Sequence, residues 1–157
     1  MKRVFYSFHY DNDCWRVSQI KQIGSIEGQK VVSANEWESV KRGGDGAIKR
    51  WVDNAMIGRS TLVVLVGEHT ANRKWINYEI SKAWNDGKGV LGIYIHNLKN
   101  QNGLKSRIGD NPFNYLTFED GRKLSSLVPC FDPSSFDAYG DIRRQLDCWI
   151  EKAARRS

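Results

Sequence analysis

No stretch of this sequence approaches the roughly 18 consecutive apolar residues that a membrane-crossing helix needs, so no transmembrane span is expected. The opening residues, Met1-Lys2-Arg3-Val4-Phe5-Tyr6, run into a strand-like segment rather than the apolar core of a secretion signal. Cysteine is scarce: Cys14, Cys130 and Cys148 are an odd number with no metal-ligand spacing. Without a secretion signal, this points to reduced thiols and a cytoplasmic setting. His9, His69 and His96 form no H-x-x-x-H or H-x-x-E-H pair, so no metal site is expected, and they read as polar groups near strand ends. Several nucleotide and hydrolase signatures are missing as well. No G-x-G-x-x-G follows the first strand, Gly43-Gly44-Asp45-Gly46 lacks the Lys-Ser/Thr of a P-loop, and there is no G-x-S-x-G elbow. The third strand ends in Val66-Gly67-Glu68, where a phospho-receiver needs an aspartate.

What is present is a 157-residue chain of ordinary soluble composition, suited to a single domain. Its net charge of +6 is scattered in pairs such as Lys41/Arg42, Arg73/Lys74 and Arg143/Arg144. No basic stripe and no aromatic RNA-binding signature accompanies them, so nucleic acid is not an expected partner. The charge reads as a solvated surface that would also tolerate a small anionic ligand.

Apolar runs and periodicities divide the chain into alternating elements. Strands are expected at residues 3–8, 61–66 and 90–95, with a weaker one around Lys30-Val31-Val32-Ser33 and an edge strand at 127–131, where Pro129 removes a donor. Helices are expected at 14–23, 45–57, from Asn72 through Trp84, and at 141–153. Residues 9–13 read as a polar loop, and 34–44 as a long loop with one turn of helix around Trp37. Residues 96–123 read as a long polar excursion, of a length that is usually functional or partly ordered. Strand–helix alternation of this kind predicts a flavodoxin-like, doubly wound α/β fold: a mostly parallel five-stranded sheet with helices on both faces.

In such sheets ligands bind beyond the carboxyl ends of the strands. Trp75 and Glu79, four apart on the helix that follows the most apolar strand, lie one above the other near that edge. On residue type alone, Glu79 with Lys82 at i+3 is a solvated ion pair worth a few tenths of a kcal/mol. Trp75 and Trp51 read more readily as core residues than as ligand walls.

Longer stretches resemble a known family. Val4-Phe5-Tyr6-Ser7-Phe8 resembles the first box of TIR domains, a strand followed by an acidic loop, and Trp75-Ile76-Asn77-Tyr78-Glu79-Ile80 resembles their W-C-x-x-E-L box. With Trp37-Glu38, Asn72-Arg73-Lys74 and Asn111-Pro112-Phe113-Asn114-Tyr115-Leu116, the likeness narrows to the TIR-like proteins of bacterial Thoeris antiphage systems and covers most of residues 2–116. Ile76 replaces the usual cysteine, and the Arg-Asp-x-x-Pro-Gly loop of animal TIR adapters has no counterpart between Ser33 and Gly46. The resemblance implies cleavage of NAD+ to nicotinamide and a cyclic ADP-ribose signal, with Glu79 as the catalytic residue. It further implies that Trp75 walls the pocket and that Phe5, Ser7, His9 and Asp11 shape it from the first strand; Trp37 reads either as a lid of that pocket or as the anchor of a long loop. NAD+ would be substrate rather than cofactor, and the partners would be further copies of the domain and an effector protein activated by the product. A non-catalytic TIR-like interaction or nucleotide-binding module, acting by self-association, is the alternative; an anion-binding regulatory domain has only the scattered charge to support it.

Overall fold

The computed structural model describes residues 2–30 and 33–156. It contains a five-stranded sheet in the order β2-β1-β3-β4-β5, with every neighbouring pair parallel. The strands are β1 (Lys2–Ser7), β2 (Ile26–Glu27), β3 (Thr61–Val66), β4 (Gly89–Tyr94) and β5 (Cys130–Phe131). The helices are α1 (Tyr10–Lys21), α2 (Ala34–Arg42), α3 (Asp45–Met56), α4 (Lys74–Asn85) and α5 (Ala138–Glu151). This is the flavodoxin-like order, in which the chain reverses direction across the sheet between β1 and β3.

The apolar strands sort by their period of two onto the two faces. Val4, Tyr6, Val63 and Leu65 pack with α1 and α5, whereas Phe5, Leu62, Val64 and Val66 pack with α3 and α4. The expected strands at 3–8, 61–66 and 90–95 therefore stand, each within a residue or so.

Two expectations need correction. Helix α1 starts at Tyr10 rather than Cys14, because the His9 side chain accepts a hydrogen bond from the Asn12 amide (3.1 Å) and acidic Asp11 and Asp13 fill the first turn. Residues 34–42 form a full helix, not a loop. Ser33 accepts from the Glu36 amide (3.1 Å), and a serine three residues before a glutamate is a capping-box sequence. Helix α2 then runs to Gly43, and Gly44, at a φ of +80° that only glycine adopts freely, turns the chain directly into α3. The strand beside β1 is Ile26–Glu27; the strand expected around Lys30-Val31-Val32-Ser33 centres on two valines that lie outside the described residues. Past β2, the Gln29 side chain continues the ladder, receiving the Tyr6 amide (2.8 Å) and donating to the Tyr6 carbonyl (2.7 Å).

The excursion at 96–123 is held to the body at several points. The buried Arg16 guanidinium donates to the carbonyls of Leu98 (2.8 Å) and Leu104 (3.1 Å). Glu68 receives the Arg107 amide (3.1 Å). Gly109 rests against the Gly67 carbonyl with no room for a Cβ, and Phe113, in a 3-10 turn at Pro112–Tyr115, is fully buried. Arg16 in turn lies 3.6 Å from Asp13, both side chains at most 5 % exposed. Arg16→Met would strand the Asp13 carboxylate in the core and release two carbonyls, a loss of about 3–5 kcal/mol. The expected readout is a lower denaturant midpoint, with proteolytic nicking between residues 98 and 107; an unchanged midpoint would remove this pair from the fold's supports.

Candidate functional site

Beyond the carboxyl end of β1 a cavity of about 320 Å³ opens between α1, α2, α3 and α4. Glu79 reaches it from the second turn of α4, on the flank of the Ile76–Ile80–Ala83 stripe that anchors this helix to the sheet. Its side chain is only 7 % exposed. Its hydrogen-bond partner is Ser7, the last residue of β1, whose Oγ donates to Glu79 Oε1 at 2.8 Å. Among the described residues no cation lies within ion-pairing distance of this carboxyl. Lys82 turns away to Asp86 (3.1 Å) and Asp53 (4.0 Å), so the solvated Glu79–Lys82 pair suggested by spacing does not form. Burial pushes the Glu79 carboxyl up to about 8, against the smaller opposing effect of the Ser7 hydrogen bond.

Of the other residues expected to form the pocket, Phe5, His9, Asp11, Trp37 and Trp75 all line it. Ser7 does not: it is fully buried behind the cavity and meets Glu79 instead. Trp37 sits on a regular helix, so it is a wall rather than the anchor of a loop. Its ring meets Tyr10 (5.8 Å) on one side and the edge of Trp51 (5.6 Å) on the other, and Trp51 meets Phe5 (6.5 Å). These edge-on and tilted contacts link four rings from four elements into one apolar wall. Trp51, expected in the core, is half-buried and belongs to this wall. Across from it, Trp75 packs edge-on against Tyr78 (5.6 Å), under the Lys74 ammonium (5.1 Å).

Sequence reasoning missed Tyr10, Gln29 and the basic groups Lys21, Lys30, Lys41 and Arg73 that also border the cavity. Tyr10 lies in a segment that reads as loop, and Gln29 in a stretch with no apolar period. The lysines had no pattern, because they converge from separate elements. His69 pairs with Glu68 (3.2 Å), and His96 stacks edge-on with Tyr94 (6.0 Å), so of the three histidines only His9 borders the cavity. No helix among the described residues is long and apolar enough to cross a membrane, and no group of three or more metal-ligating side chains occurs among them.

The cavity thus offers a desolvated carboxyl, flat aromatic walls and a basic rim, a combination that suits a cationic, planar group on a phosphorylated ligand. Comparison with known proteins agrees with the first-strand and Trp–Glu boxes. The sequence model of the family described as "Thoeris protein ThsB, TIR-like domain" matches residues 5–100. A relative from Bacillus cereus (strain MSX-D12), named "Putative cyclic ADP-D-ribose synthase ThsB1", is 35 % identical over 131 residues, which covers 78 % of this chain and 68 % of the relative. The chain belongs to the ThsB TIR-like family.

The raised pKa of Glu79 has a definite sign in stability. Below about 4.5 the carboxyl is neutral whether the chain is folded or not. Between about 4.5 and about 8 the unfolded chain ionises while the folded one keeps its proton, so stability falls as pH rises; above about 8 the full penalty, a few kcal/mol, is present. Glu79→Gln, which keeps a hydrogen-bond acceptor for Ser7, is expected to raise Tm at pH 8 and to change it little at pH 4. Equal shifts at the two pH values would show that Glu79 carries no buried-charge penalty.

Proposed function

We propose that this ThsB-family protein cleaves the nicotinamide–ribose bond of NAD+, releasing nicotinamide and a cyclic ADP-ribose that signals to a separate effector in antiphage defence, with Glu79 as the catalytic carboxylate. The observation that carries this reading is the position of Glu79: buried, with no cation bonded to it among the described residues, and facing an aromatic-walled cavity at the end of β1. The product follows the name of the Bacillus cereus relative. NAD+ is the substrate, and the chemistry calls for no cofactor.

The chemistry suits a lone carboxylate. The bond between the anomeric carbon and the pyridinium nitrogen breaks with its electron pair moving to nitrogen. Nicotinamide thus leaves neutral, and no general acid is needed. The positive charge passes to an oxocarbenium-like ribose. A carboxylate beside that ribose, bonded to its diol, stabilises the developing cation more than the bound substrate. Near neutral pH the empty site holds Glu79 largely protonated; a cationic substrate seated against it favours the ionised form. The Ser7 hydroxyl holds one carboxyl oxygen in place and leaves the other for the ribose. Closing the ring requires an adenine nitrogen or ribose hydroxyl of the same molecule to attack the anomeric carbon before water does. The wall of Phe5, Tyr10, Trp37 and Trp51 assists by excluding water. Self-association, a property the resemblance implies, would complete rather than replace this site.

Incubation with NAD+ and mass analysis of the separated products tests the reading. Glu79→Gln is expected to lower nicotinamide release at least about 100-fold, and turnover equal to the parent would remove Glu79 from the mechanism. A mass matching linear ADP-ribose alone would make the protein a hydrolase. No nicotinamide even from concentrated protein would favour the nucleotide-binding module. Because the carboxylate is the working form, kcat/KM should rise with pH to a plateau with a midpoint at about 8. Ser7→Ala, which removes the bond that favours the carboxylate, should move that midpoint upward. A pH-independent rate across this window would sink the assignment.

A further inference from the structure

Five basic side chains border the Glu79 cavity: Lys21, Lys30, Lys41, Arg73 and Lys74. Two are already neutralised, Lys41 by Glu38 (2.8 Å) and Lys74 by Asp45. Arg73 is exposed and spends its Nε on the His69 carbonyl (2.7 Å), and Lys30 is exposed. Lys21 differs from all of these. It is half-buried, and among the described residues no carboxylate stands within 4.0 Å of its ammonium. The charged and titratable neighbours that act on it are Arg59, a like charge, and the Cys14 thiol.

The ammonium is nonetheless held in place. It donates to the Gln29 carbonyl and lies 5.9 Å from the centre of the Tyr6 ring. Gln29 is itself locked to β1 by its two side-chain hydrogen bonds with Tyr6. Gly28 supplies the space: a Cβ there would come within 2.5 Å of the Tyr6 ring and 3.3 Å of the Lys21 Cε. The buried hydroxyl of the same tyrosine has no hydrogen-bond partner among the described residues. Lys21 ends α1, where a lysine commonly neutralises the last helical carbonyls, yet its ammonium goes to a carbonyl outside the helix. Burial, with the like charge of Arg59 adding to it, pulls it down to about 8 against a smaller opposing effect of Cys14, so it remains a cation near neutral pH with no carboxylate beside it among the described residues.

Lys21 comes from the α1 face of the sheet and Glu79 from the α4 face, and both border one cavity at the end of β1. A ligand lying across that strand end meets a carboxyl on one side and a fixed, unpaired ammonium on the other. We propose that Lys21 is the phosphate anchor of this cavity, binding an oxygen of the pyrophosphate bridge when the dinucleotide ribose lies against Glu79. The assignment deepens the NAD+ reading and rests on it for the identity of the ligand. A cation already ordered by the fold loses little freedom on binding, which favours Lys21 over the exposed lysines of the rim.

The test is calorimetric titration with ADP-ribose and, separately, with adenosine, neither of which requires turnover. Lys21→Met is expected to weaken ADP-ribose binding about tenfold or more, the worth of a hydrogen bond to a charged group, while adenosine binding stays unchanged. Lys21→Arg, which keeps the charge, should retain most of the ADP-ribose affinity. Equal ADP-ribose affinity in the parent and Lys21→Met overturns the proposal, and so does a parallel loss of adenosine binding, which would mark a collapsed cavity. If ADP-ribose binding depends on Lys21 but nicotinamide is never released from NAD+, the anchor stands and the cleavage reading falls.

Discussion

Every strand in this sheet runs parallel to its neighbours, and the remaining features follow from that constraint. A parallel connection must cross a face of the sheet, so both faces need cover and every strand end on one edge faces the start of a crossover. At β1 the constraint acts twice. The chain leaves it through α1 on one face, and after β2 it returns to β3 past α2 and α3 on the other. The end of β1 is therefore a place where helices of both faces converge but no strand continues. Ser7, the last residue of β1, lies at that point, and a larger side chain there would occupy the space that the Glu79 carboxyl takes.

Placing a carboxyl there opposes stability. It is desolvated, its one described partner is a neutral hydroxyl, and it rests in its protonated form until pH approaches about 8. A structural carboxylate would be expected beside a cation, as Asp13 is beside Arg16. Burial raises both acids, but they differ in partner, a guanidinium for Asp13 and a hydroxyl for Glu79, and that difference supports the chemical role proposed for Glu79. Asp13 and Arg16 secure the excursion at Leu98 and Leu104, and no residue of that excursion borders the cavity. Glu79 secures nothing beyond its own hydrogen bond. Strain of this kind, retained at one point and compensated elsewhere in the fold, is the usual mark of a working site.

How much was legible in the sequence depended on whether the signal lay within one element. Strand β3 is one unbroken apolar run and helix α3 keeps a helical apolar period, and the sequence places both almost to the residue. Helix α2 has only Trp37 and Val40 as large apolar residues, too few to show a period. Its capping-box serine and glutamate, Ser33 and Glu36, were the available sign and were not used. Strand β2 is two residues long and relies on a glutamine side chain to continue its pairing, which no strand pattern encodes. Glu79 was singled out through its neighbours Trp75 and Ile76-Asn77-Tyr78, yet its burial was not readable. The i+3 lysine suggested an ion pair, and only tertiary structure shows Lys82 taken by Asp86 and the glutamate taken by Ser7, 72 positions away.

The same reasoning explains why the basic rim looked like ordinary surface. Spacing along a helix or strand reports on neighbours in one element, whereas the cavity collects Lys21 from the end of α1, Lys41 from the end of α2 and Lys74 from the start of α4. In sequence they are scattered lysines among many. In space they differ by partner: Lys41 and Lys74 have carboxylates, and Lys21 has a carbonyl and an aromatic ring. Net charge alone would favour any anion at this edge. An acid and an unpaired base approaching one strand end from opposite faces favour something narrower, a ligand with a cationic centre at one point and a phosphate at another.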